Sequence, residues 1–279
     1  MTTHKKTVTE NMKELLSDNR NAIALDDFVS SYIKKFLEST NLEEFPVQGA
    51  NIQNEEIIER MEKYENISKD LQVIVILLAR WGDAEKQLLL EKIFDRLIEA
   101  ETGTSGLTTW LRMRWYPILL LLYCAGISAL SAKKYEIFAS TLKHQVSGNL
   151  TDGKRLSIVV ASFIFSGDIA DHFKLFPGLE NRYTPRSERI SSVIKSTIND
   201  LLFLGGSYEK LFDEFEVYSS LMCADLTVHG WGPIGIFGWK YDRSNDSPFH
   251  IVVEHAKKSG KNFDLLKSGC FNGSPDRFL

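Results

Sequence analysis

The chain has 279 residues, 43% hydrophobic and 25% charged, with a net charge of −4. That length supports one large domain with a core that needs no staples, and the acidic balance offers no general footprint for nucleic acid. Cys124, Cys223 and Cys270 are odd in number and far apart, with no CxxC spacing, which speaks against a cysteine zinc cage and for reduced thiols in a cytoplasmic protein.

Residues 1–20 are polar, an arm or a lead-in helix, and carry no apolar signal segment. Phe28, Val29, Tyr32, Ile33, Phe36 and Leu37 fall on one helical stripe, with Asp26 placed to cap it. Pro46 and Gly49 break the chain. One long helix is then expected from about Glu55 to Arg80, buried along Ile57, Met61, Leu71, Ile74 and Leu78. A further helix carries Leu90, Ile93, Phe94 and Leu97, with Gly103 ending it.

The most apolar run, Trp115 to Leu130, has Arg112 and Arg114 on one side and Lys133 and Lys134 on the other. It is shorter than the roughly 20 residues a membrane span needs, so a buried central helix is expected, starting or kinking near Pro117. A short helix follows over 132–145, then a polar turn between Gly148 and Gly153. "LSIVVASFIF" is β-branched and short enough for a strand, but lacks an obvious pairing partner, so helix is the better reading.

Thr184 and Pro185 open the next helix, which Gly205 and Gly206 stop. Ser207 caps its successor, where Leu211, Phe212, Phe215, Leu221 and Met222 face inward. Ser247-Pro248 starts another helix that Gly260 closes, and "NFDLLKSG" makes a short one. A last Ser-Pro signal at Ser274 is left unfinished, as expected either of a chain cut from a longer protein or of an end that docks on something. The expected architecture is all-α: about ten helices, with residues 21–279 forming one helical domain.

"HGWGPIGIFGWKY", His229 to Tyr241, interrupts this pattern with four glycines, a proline, two tryptophans and a phenylalanine. It is not a phosphate cradle. No Lys-Ser/Thr follows, no strand precedes, and Pro233 removes a backbone donor. The simplest reading makes Trp231, Ile234, Phe237 and Trp239 plugs between helices, while Gly232 and Gly235 allow the turn. The functional reading makes Trp231, Gly232, Pro233, Gly235, Phe237 and Trp239 a recognition surface.

Other clusters are weaker. Arg182, Arg186 and Arg189 flank a helix start with Tyr183 and could hold an anion, although Glu180 and Glu188 offer them local partners. Asp168 and His172 lie four residues apart, as do Asp225 and His229. On helices, each pair shares a face and could contribute to a metal site. The plainer reading has Asp168 capping a short helix and Asp225 satisfying the loop that follows.

Five stretches taken together resemble a known pattern. They are "WLRMRWYPILLLLYCAGISALSAKKYEIF", "PGLENRYTPRSERI", "YEKLFDEFEVYSSLMCADL", "WGPIGIFGWK" and "SGCFNGSPDRF". In this order they look like a helical C-terminal region of large multidomain bacterial proteins of the antiphage-defence type, whose N-terminal part is a SIR2-like, TIR-like or other nucleotide-handling domain. The resemblance spans roughly residues 55–279. Relatives of that kind often carry Arg where this chain has Ile236. It implies a non-catalytic recognition or oligomerisation module without a cofactor, acting with a protein partner or a second copy of itself, away from membranes and nucleic acid. The alternative is a metal-dependent helical hydrolase acting on nucleotides through Asp168, His172, Asp225 and His229.

Overall fold

The structure, a computed structural model, describes residues 3–49, 52–101, 104–146, 156–227, 230–240 and 247–278. Among these residues the fold is all-α, with fourteen α-helices and a two-residue β-ladder. The helices are α1 (Thr3–Leu16), α2 (Ala22–Ser39), α3 (Asn54–Ile67), α4 (Lys69–Trp81), α5 (Ala84–Glu99), α6 (Thr108–Met113), α7 (Trp115–Ser131) and α8 (Tyr135–Lys143). They continue with α9 (Ile158–Gly167), α10 (Pro185–Leu202), α11 (Ser207–Leu226), α12 (Pro248–Ser259), α13 (Asp264–Lys267) and α14 (Pro275–Phe278).

Helix α7 is the axis. A helix apolar all round must be covered on every side, and every residue from Trp115 to Leu130 is buried. Helices α4, α8, α9, α10 and α11 pack around it. The segment Thr108–Ser131 is long and apolar enough to cross a membrane, and its apolar window is wholly buried inside the protein. Pro117 sits in the first turn of α7, where its missing N–H costs nothing. The break before it falls at Arg114, which is drawn to Glu101 at 2.6 Å and to the Thr40 carbonyl at 3.1 Å.

Helix α4 is the second buried rod, with Leu71 through Ala79 all inaccessible. The expected single helix from Glu55 to Arg80 is two helices. Ser68 is buried at the junction, donating to the Glu65 carbonyl at 3.1 Å and accepting from Gln72 Nε2 at 3.0 Å. A serine that bonds its own backbone offers an alternative to the helical ladder.

The polar N-terminus forms a lead-in helix whose Val8 and Met12 are fully buried, and α1 packs on α4. Asp26 does not cap α2, which begins at Ala22; it lies within the helix and pairs with Lys92 at 2.8 Å. Helix α5 closes at Ala100; Gly103, expected to end it, lies outside the described residues. "LSIVVASFIF" divides: Leu156–Ser157 pairs antiparallel with Gln145–Val146, and the rest is α9. The turn expected over 148–153 lies outside the described residues.

Helix α10 begins at Pro185 as its sequence predicts. Ser207 is the first residue of α11 and not its cap, a position held by Gly206. Ser247 does cap α12, accepting from His250 N at 3.2 Å. All three cysteines are free and buried.

Candidate functional site

Two tyrosines on α7 organise the polar interior. Tyr116 and Tyr123 are two turns apart on one helical face, and each donates to a buried glutamate. Tyr116 reaches Glu65 of α3 at 2.8 Å, and Tyr123 reaches Glu216 of α11 at 2.9 Å. Helix α10 sets an arginine near each pair. Arg189 closes on Glu65 with Nε at 2.8 Å and Nη2 at 2.6 Å, and its guanidinium lies over Phe176 at 3.9 Å. Glu65 is thereby fully satisfied, as a buried carboxylate must be.

The second pair is left open. One turn earlier on α10, Arg186 turns to Ser166 Oγ at 3.1 Å and covers the Phe163 ring at 5.3 Å. Glu216 keeps its Oε1 bonds to Tyr123 and Ser187, but its Oε2 is buried without a partner. It is the one such carboxylate oxygen among the described residues. Burial pushes the Glu216 carboxyl up to about 7, against the opposing pull of its bonds to Ser187 and Tyr123.

The Gly/Trp loop lies over this carboxylate. A side chain at Gly235 would collide with the Glu216 carboxyl, its Cβ falling 2.1 Å from Oε2. At Gly232 the same atom would fall 1.9 Å from the Ser220 carbonyl oxygen. The glycines therefore serve close approach of backbone to α11. Three further ties hold the loop. Ile236 N donates to Ser187 Oγ at 3.0 Å, Phe237 is buried, and Lys240 grips both oxygens of Asp213 at 2.6 and 2.7 Å. Ser187 uses its acceptor for the loop and its donor for Glu216.

The expected plug is only partly there. Phe237 does fill the interior. Trp231 is 78% exposed, Ile234 59% and Trp239 55%. With both flanks tied to the surface of α11, the short loop has no depth left to insert the other three rings and chains. Trp239 instead stacks on Tyr183, itself 81% exposed, which precedes α10. Trp231, Ile234 and Trp239 are thus exposed apolar side chains on a pinned backbone, with Tyr183 stacked beside Trp239. Beneath its edge lies a cleft of about 80 Å³, bounded by Tyr123, Arg186, Ser187, Glu216, Pro233 and Gly235.

The arginine cluster separates. Arg182 is exposed and pairs with Glu188 at 3.3 Å, Arg189 belongs to Glu65, and Arg186 alone reaches the cleft. Asp168 caps no helix start; it ends α9 and pairs with Arg112 at 2.8 Å. His172 lies in a separate 3-10 turn, so the two do not share a helical face. Asp225 engages Arg277, and His229 lies outside the described residues. Among the described residues no three His, Cys, Asp or Glu side chains gather as metal ligands. Burial pushes the Cys223 thiol up to about 12, away from the thiolate a nucleophile needs.

Sequence reasoning missed Glu216, Ser187 and Tyr123. Each reads as an ordinary member of a helix, and only the crossing of α7, α10 and α11 brings them together. Comparison with family models, with curated proteins and with solved structures finds no match to this chain.

Proposed function

We propose that this chain is a non-catalytic helical recognition module, acting beside a bacterial defence effector, whose responsive surface is the Gly/Trp loop. The observation that carries the reading is the exposure of Trp231, Ile234 and Trp239 on a loop tied to α10 through the Ile236 N–H and to α11 through the Lys240 side chain. Several exposed apolar side chains on one tethered loop suit a protein partner, because aromatic anchors bury large area at little entropic cost. A partner that binds this face in one assembly and not another shifts the population of the competent one.

The test combines light scattering with pull-downs using the products of neighbouring genes, on wild type and on the double variant Trp231→Ala, Trp239→Ala. Wild type is expected to form a defined complex, with itself or with a neighbour, and the folded double variant to lose it. Equal binding by the double variant overturns the proposal. So does a wild-type monomer with one transition metal per chain, which would move attention to hydrolysis around Asp168 and His172.

A further inference from the structure

The two glutamates held by the α7 tyrosines differ in one respect. Arg189 closes the first, and among the described residues none closes the second. An unpaired buried acceptor is costly, so a carboxylate oxygen without a partner, buried in the wall of a cleft under the Gly235 backbone, marks a place for a ligand donor once the loop gives way. The same cleft holds a second unused group. Among the described residues Arg186 forms no ion pair, and its bond goes to a neutral serine. It also opens at the start of the 18-residue helix α10, where Thr184 makes no side-chain bond to the first turn, leaving the positive end of the helix facing outward.

The cleft thus offers one acceptor of negative character and one donor set of positive character, side by side. A lone amine would sit beside Arg186, and a lone carboxylate beside Glu216. A ligand carrying both charges satisfies both walls and buries no net charge. About 80 Å³ is room for a few groups of water size, enough for an ammonium and a carboxylate but not for a ring. Tyr183, Pro233 and Ile234 border the cleft, an apolar rim for whatever side chain projects outward.

We propose that this cleft binds a free α-amino acid by its head group, the ammonium on Glu216 Oε2 and the carboxylate on Arg186, with an apolar side chain against the rim. The inference rests on the loop face being a recognition surface and names a small ligand for it. Binding there would pack the loop more firmly between α10 and α11.

The test is titration of purified protein with L-phenylalanine, phenethylamine and 3-phenylpropionate, followed by tryptophan fluorescence and thermal shift, with the other standard amino acids screened beside them. Phenylalanine or another apolar amino acid is expected to bind, and its amine and acid analogues to bind at least tenfold more weakly. Glu216→Gln and Arg186→Gln, each verified as folded by circular dichroism, are expected to weaken binding at least tenfold. The proposal is overturned if no amino acid binds wild type, or if an analogue lacking one charge binds as tightly as its parent. Loss of partner binding in the tryptophan double variant with no amino-acid binding removes this inference and leaves the recognition surface standing. Amino-acid binding with unimpaired partner binding in that variant does the reverse.

Discussion

Tyr183 and Trp239 stack with ring centroids 4.6 Å apart and planes inclined by 24°, although both rings are more than half exposed. The contact joins the segment before α10 to the end of the Gly/Trp loop. An offset stack contributes about 0.5–1.5 kcal/mol beyond area burial, and solvent on the outer faces keeps this one at the low end. Trp239→Ala should therefore lower stability by about 0.5 kcal/mol, read as a small shift in a urea midpoint with unchanged slope. Trp231→Ala should cost less, since that side chain is 78% exposed. A drop of several kcal/mol in either variant would mean the residues plug the core after all.

Gly235→Ala tests the opposite expectation. Its Cβ would meet the Glu216 carboxyl, and Glu216 cannot retreat without losing Tyr123 and Ser187. Overpacking of this kind costs about 1–3 kcal/mol. The loop should lift from α11 and become sensitive to limited proteolysis near Trp231. Gly206→Ala is the control, because nothing lies within 4 Å of its Cβ position. Equal protease resistance of wild type and Gly235→Ala would show that the loop is not seated on the carboxylate.

Glu216 makes a signed prediction about pH. Burial raises its folded value from the ordinary carboxylate value of 4.5 to about 7, so the native state holds the proton more tightly than the unfolded chain. The stability this contributes is fully present below about 4.5 and is lost as pH rises through about 7, an effect on the order of 3 kcal/mol. The groups facing it are Tyr123 from α7, Ser187 and Arg186 from α10, and Asp213 on its own helix, which Lys240 partly neutralises. Asp213 is itself raised by burial. The difference in unfolding free energy between wild type and Glu216→Gln should therefore shrink or reverse across this range, whereas other groups cancel. A pH-independent difference would place Glu216 in a wetter site than the structure gives it. Amino-acid binding, which uses the ionised carboxylate, should weaken about tenfold between pH 8 and pH 6.

The closed pair predicts a larger penalty. Arg189→Ala strands Glu65 with only Tyr116 as partner. Breaking a buried pair by removing one member costs about 3–5 kcal/mol. Arg182→Ala, whose exposed guanidinium pairs with Glu188 across 3.3 Å, should change stability by well under 1 kcal/mol. Chemical denaturation of both variants separates a structural arginine from a surface one.

The helical architecture was legible because its causes are local. Period-3.6 stripes, Pro185 and Pro248 at first positions, and the Ser247 cap act within a few residues of the helices they set. The all-apolar run of α7 could be read as a core helix because its length falls short of a span. Where local reading failed, a side chain had either a partner far away in sequence or a short-range bond that competes with the helical ladder. Asp26 was drawn into α2 toward Lys92 and Asp168 toward Arg112, and Ser68 broke a helix through bonds that no periodicity shows.

The site divides along the same line. Composition alone marked Trp231 to Trp239 as unusual, and the glycines as permissive. Only tertiary structure decided that Phe237 goes in while Trp231, Ile234 and Trp239 stay out, because that depends on how closely backbone can approach α11. It alone gave Arg189 a carboxylate and left Arg186 without one. Those two residues are one turn apart on α10 and chemically identical. What separates them is the distance each must cross to a glutamate on another helix, and charges separated by more than ion-pair contact inside a protein are set by packing, which a linear pattern does not contain.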